Sequence, residues 1–199
     1  MTSRTLLTIA LLAALLFAGL TAPTGHASRS GGALAQPSKP IRAPKFTSAY
    51  TNLGSQCRQI GVAGQGDDPS QRCTGVGGYV IVVDFSAASS HLRIEPNRNP
   101  TESNTVKLGE QPIDFDKGGK KVEWRLADGK PFAVIIRMEN HKDVDDPTAY
   151  WQPQNRLGQT LLVQGLGGYS GLNSQVDASK PTANADARKL ADDAYQIGD

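Results

Sequence analysis

Residues 121–138, KVEWRLADGKPFAVIIRM, constrain this chain more than any other stretch, because they read as two strands joined by a tight turn. Val122, Trp124 and Leu126 alternate with Glu123 and Arg125, and Asp128-Gly129 supplies the turn residues. Two closures compete. A two-residue loop places Trp124 opposite Ala133 and leaves Phe132 beside Arg125. A three-residue loop with Gly129 left-handed pairs Leu126 with Lys130 and Trp124 with Phe132. The second gathers Val122, Trp124, Phe132, Val134, Ile136 and Met138 on one face, with Glu123, Arg125, Arg137 and Glu139 on the other. A one-residue slip turns every side chain over, so the apolar pattern favours the bulged three-residue turn. Ile135 then stands on the polar face and needs cover from another element.

The rest of the body repeats the strand signal. GYVIVVDF (78–85) is dense in β-branched and aromatic residues and too short for a helix, so it reads as a buried strand. HLRIE (91–95) alternates as a half-buried strand, QTLLVQGL (159–166) is another, and SQVDA around Val176 is a short candidate. The convincing helical pattern is C-terminal. NADARKLADDAYQIG (184–198) repeats Ala187, Leu190, Ala191, Ala194 and Ile197 at helical spacing, with Asn184 as candidate cap and Gly198 as stop. The expected fold class is mainly β (α+β): an antiparallel sheet or sandwich with one C-terminal helix packed on it. GVGGYV (75–80) returns as GLGGYS (165–170). Neither copy fits a dinucleotide loop, because the third glycine is missing and a strand follows the first copy. Close backbone approach with a tyrosine packed over the glycine is the better reading, with two similar strand starts.

Compartment comes from the N-terminus. MTSRT precedes the apolar run Leu6–Leu20, and Gly25 and Ala27 stand as the small residues of a signal peptidase site. The run is shorter than the roughly 20 residues of a membrane-spanning helix. The expected division is a signal peptide at 1–27, a basic Pro/Gly/Ser-rich linker at 28–45 and a single β-rich domain at 46–199. The linker carries Arg29, Lys39, Arg42 and Lys45 with no acid, so it reads as a solvated spacer that could also touch an anionic surface. The domain itself has a slight acidic excess, which argues against a nucleic-acid partner. Localisation is expected to be exported, either periplasmic or secreted, with no transmembrane segment in the mature chain.

Cys57 and Cys73 are the two cysteines of the chain. In an exported protein they read first as a structural disulfide, against a free or intermolecular pair or a redox site. Zinc would want four protein ligands, or three and a water, and no Cys-x-x-Cys is present. The GQGDDP tip between them, with Asp67 and Asp68, reads as a surface loop and is a poor calcium site.

Reactive machinery is harder to find. GYSGL lacks the last glycine of a nucleophile elbow. His91 should face solvent beside Arg93 and Glu95, and Asp114 and Asp116 alternate outward with no identified partner. Glu139, His141, Asp143, Asp145 and Asp146 crowd together as weak metal candidates, yet they lack the spacing and mid-loop glycine of a calcium loop. A solvated acidic loop is the plainer reading, and no cofactor is implied. PTAYWQPQN (147–155) sets Tyr150 and Trp151 between prolines. The pair either plugs the end of the sheet or forms an aromatic platform, and Tyr150, Trp151 and Gln152 are the candidate ligand-binding residues.

AYTNL ahead of Cys57, RCTGVGGYVIVV, VEWRLADGKPFAVIIR and ANADARKLADDA together resemble a family of small exported bacterial proteins of uncharacterised activity. The resemblance runs from about Phe46 to the end, and its most specific part is the hairpin with Trp124, Pro131 and Phe132. Similar sequences carry a further cysteine pair where this chain has Asn173-Ser174 and Gly198, which implies that packing alone holds the helix here. No activity, cofactor or catalytic residue comes with the resemblance. The expectation is an exported, non-enzymatic envelope module that binds a protein or a glycan, of accessory or inhibitor type. The alternative is a small periplasmic hydrolase or cation-dependent enzyme around His141, and a purely structural envelope protein is a third reading.

Overall fold

The β-branched runs build two antiparallel sheets of five strands each, and one helix follows them. The computed structural model describes residues 42–60, 70–85, 90–108, 121–146, 149–150 and 152–198. Residues 1–41, where a signal peptide and most of a linker are expected, lie outside the described residues, as do the Asp67-Asp68 tip, Asp114, Asp116 and Trp151. The strands are β1 (Phe46–Asn52), β2 (Cys57–Ile60), β3 (Ser70–Thr74), β4 (Tyr79–Phe85), β5 (Ser90–Pro96), β6 (Val106–Leu108), β7 (Lys121–Ala127), β8 (Lys130–His141), β9 (Arg156–Gly165) and β10 (Asn173–Asp177). The helix is α1 (Ala183–Ile197). One sheet runs β1-β7-β8-β9-β10 and the other runs β2-β3-β4-β5-β6. Among the described residues, no helix is long and apolar enough to cross a membrane.

The sheets pack face to face. Ile81, Val83, Leu92, Ile94 and Leu108 from one meet Val122, Trp124, Val134, Ile136 and Leu162 from the other in a single buried cluster. The opposite face of the β7-β8-β9 sheet is buried too. Ala183, Ala187 and Ala191 of α1 sit on Ala133, Ile135, Leu161 and Val163 there. Small alanine side chains let the helix approach the sheet closely, as its sequence requires. Ile135 therefore gains its cover from α1. Ile197, expected on the apolar face, instead stays 86% exposed beyond the sheet.

The hairpin closes differently from the favoured expectation. Ala127 pairs with Lys130 and Leu126 with Pro131, which leaves Asp128 and Gly129 as a two-residue turn. Both have positive φ, 47° and 82°, the conformation that suits a tight hairpin and that glycine adopts without strain. The extra residue sits inside β8: Arg125 pairs with Ala133 and Trp124 with Val134, so Phe132 has no opposite number. Proline cannot donate to the ladder, and a bulge accommodates it. Phe132 thereby turns to the helix side, where Phe46, Tyr169 and Tyr195 surround it at centroid distances of 5.8, 5.7 and 4.8 Å.

The two glycine motifs have one local geometry in two settings. In each, the tyrosine N–H donates three residues back, Tyr79 to Val76 at 3.2 Å and Tyr169 to Leu166 at 3.1 Å. The first copy leads into β4, whereas the second follows β9, so they are not two similar strand starts. Tyr79 lies 6.3 Å from Trp124 between the sheets, and Tyr169 lies 5.7 Å from Phe132 under the helix. The hairpin is thus gripped from both faces.

Residues expected to form one loop between the cysteines include two strands. Cys57 of β2 stands opposite Cys73 of β3, and the two are joined in a disulfide across 16 positions of sequence. Replacing both with alanine should lower stability by about 3 kcal/mol, the closure entropy of a loop of about 15 residues. For a domain of this size that corresponds to roughly 6–12 °C in melting temperature by calorimetry. A melting temperature unmoved by the double substitution, or by reductant, would deny the bond that role.

Candidate functional site

The end of β8 brings together part of the acidic cluster and buries it. Glu139 Oε1 accepts hydrogen bonds from Arg156 Nη2 at 2.5 Å and Gln159 Nε2 at 3.1 Å. Its other oxygen lies 3.9 Å from His141 Nε2, and the two side chains are only 3% and 2% exposed. The ring of Tyr150 packs on His141 with centroids 4.8 Å apart. The chain around it is held by its own backbone, with Lys142 N donating to Asn155 O at 2.7 Å and Gln152 N to Ala149 O at 3.0 Å. Burial raises the Tyr150 phenol above its ordinary pKa, and the nearby Asp143 carboxylate adds to the shift. Tyr150 is half-buried, and Gln152 is exposed.

Asp143, Asp145 and Asp146 remain exposed, unlike Glu139 and His141. Among the described residues, no group of three or more His, Cys, Asp or Glu is placed to hold a metal ion. His91 is exposed on β5, opposite Asp84 of β4. Ser170, at the centre of GYSGL, lies in the turn after residues 167–169, with its amide donating to Gly167 O at 3.2 Å.

A different place on the molecule is concave. Two ion pairs fasten α1 to its sheet. Arg125 binds Asp192 through Nε and Nη2, at 3.0 and 2.6 Å, and Arg188 binds Glu123 through Nε and Nη2, at 2.6 and 3.1 Å. Ser48 Oγ links them, donating to Glu123 at 2.6 Å and accepting from Arg125 Nη1 at 2.7 Å. Arg188 also donates to the Tyr50 hydroxyl at 3.2 Å. Its guanidinium pKa is raised, chiefly by the hydrogen bond to Glu123, so it stays charged.

Beside Asn184 in the first turn of α1, a cleft of about 440 Å³ opens on this face. Ile135 and Leu161 form its apolar floor, Lys121 and Arg137 stand on the sheet side, and Arg188 and Glu123 border the helix. Tyr50 of β1 rises at the rim, 51% exposed. The sequence reading placed Arg137 and Glu123 on a shared polar face. It did not find β1, and so gave Tyr50 no place in the fold; the tyrosine in AYTNL was the available signal.

No family model matches the chain, and no curated protein or solved structure matches it either.

Proposed function

We propose that this chain is an exported, non-enzymatic module that binds a glycan of the cell envelope in the cleft beside Tyr50. The cleft carries the reading: a hollow of about 440 Å³ with an apolar floor, charged walls and a half-exposed tyrosine at its rim. Small-ligand sites typically enclose about 300–1,000 Å³ and combine apolar lining with a few polar groups. Protein partners more often need about 800 Å² of surface from each side. An amphipathic ring beside hydrogen-bonding groups suits the apolar face and hydroxyls of a sugar. The leader sequence and the closed Cys57–Cys73 bond support the exported setting.

A hydrolase around His141 has less support. Its side chain and that of Glu139 are almost wholly covered, and Glu139 is engaged by Arg156 and Gln159. A substrate would have to displace the Tyr150 ring to reach the histidine.

Calorimetric titration with defined envelope oligosaccharides tests the proposal on the wild type, Tyr50→Ala and Trp151→Ala. Loss of ring stacking should weaken binding about tenfold in Tyr50→Ala, which is about 1.4 kcal/mol, and leave Trp151→Ala unchanged. The reverse pattern moves the site to residues 149–152. Saturable binding of an envelope protein with no glycan bound replaces the ligand class.

A further inference from the structure

We infer that the ligand of the cleft is an anionic sugar, one bearing a carboxylate or phosphate group, an inference that rests on the glycan-binding reading above. The argument comes from the strand register. Val122 of β7 and Ile136 of β8 are direct partners in the antiparallel ladder. Lys121 precedes the first and Arg137 follows the second, so the two cations are neighbours across the strands and both line the cleft. Like charges side by side on a sheet face repel. Among the described residues, neither Lys121 nor Arg137 forms an ion pair, and Arg137 has a 3.2 Å hydrogen bond to Gln159.

The other arginines of this sheet and helix are treated differently. Arg125, Arg156 and Arg188 each meet a carboxylate at 2.5–2.6 Å. Among the described residues that line the cleft, Glu123 is the one acid, and it is already engaged by Arg188. Arg137 is half-buried, so its guanidinium has given up part of its water without receiving a counter-charge. A planar guanidinium next to an ammonium is the donor set that a carboxylate or phosphate takes up, the first in a bidentate pair and the second as a point charge. Tyr50 would meet the sugar ring while Lys121 and Arg137 take its anionic group.

The test titrates the whole exported domain, disulfide intact, with tri-galacturonate, mannose 6-phosphate and neutral galactotriose. One or both anionic probes should bind at least tenfold tighter than galactotriose at low salt, and the preference should shrink as ionic strength rises. The galacturonate and phosphate arms identify which group is recognised. Lys121→Gln/Arg137→Gln should abolish the preference while circular dichroism stays as in the wild type and the melting temperature does not fall, since a repulsion is relieved, and Lys121→Gln alone should reduce it. Equal affinity for acidic and neutral probes overturns the anionic inference and leaves the glycan-binding reading standing. A preference that survives the double substitution overturns it as well. Absence of binding to all three probes overturns both.

Discussion

Trp124→Ala is expected to destabilise the domain by about 3–5 kcal/mol, the range for deleting a large buried aromatic side chain. Trp124 is fully buried on β7, in the cluster where the two sheets meet. Its indole Nε1 donates to Thr51 Oγ1 at 2.9 Å, and that hydroxyl donates to the Thr74 carbonyl at 2.8 Å. The chain of bonds joins β1 and β7 of one sheet to the end of β3 in the other. Removing the indole therefore opens a cavity and takes the donor away from a buried threonine. Against a typical net stability of about 5–15 kcal/mol, this is a large fraction. Urea melts should show the midpoint falling with little change in slope. Trp124→Phe separates the two contributions, because it keeps most of the apolar volume and loses the hydrogen bond. It should cost about 1–2 kcal/mol. A cost below about 1 kcal/mol for Trp124→Ala would mean that the sheet-to-sheet contact is not where the stability lies.

The sequence exposed the interior of this fold more readily than its boundaries. Tyr79–Phe85, Ser90–Pro96 and Ala183–Ile197 are legible as two strands and a helix from composition and period alone. The hairpin was legible as a hairpin, and its register was not. Register follows from alternation only when one face is wet, and here both are dry: Trp124 and Val134 face the other sheet, while Ala133 and Ile135 face α1. Arg125 and Glu123 look like solvent-facing residues in the sequence. They are buried because Asp192 and Arg188 come to them from about 65 positions away, a pairing that no local pattern can reveal. The same cause hid the cleft. Tyr50 and Asn184 lie far from the hairpin in the chain, and they join Lys121 and Arg137 only once β1 has paired with β7 and α1 has folded back over the sheet. His141 and Glu139 were legible as a cluster, but their burial depends on the ring of Tyr150 and on Arg156 from the next strand.

Gly165→Ala is the second substitution expected to have a large effect, about 3 kcal/mol or more, beyond the usual cost of adding a methyl group to a packed interior. A Cβ at this position would stand 1.7 Å from the carbonyl oxygen of Tyr169. That oxygen is backbone, so no side-chain rotation relieves the overlap and the turn itself must move. The turn is fixed at both ends: Leu172 N donates to Tyr169 O at 2.9 Å, and Gly165 N donates to Leu172 O at 2.8 Å. Displacing it shifts the Tyr169 ring, which stacks on Tyr195 of α1 at 4.8 Å and meets Phe132 at 5.7 Å. The damage should therefore appear at the helix side of the sheet, as lost near-ultraviolet dichroism together with a lower melting temperature. Gly75→Ala makes the matching test in the first copy of the motif, where the Cβ would stand 2.4 Å from the Tyr79 carbonyl oxygen and 3.0 Å from Trp124. It should be destabilising in the same direction with a smaller overlap to relieve. Gly168→Ala is the control, since its Cβ would meet nothing within 4 Å. It should leave stability within about 0.5 kcal/mol of the wild type. Should Gly165→Ala melt within about 2 °C of the wild type, the shift produced by about 0.5–1 kcal/mol in a domain of this size, then the tyrosine turn is softer than its hydrogen bonds require and the motif is not a packing device.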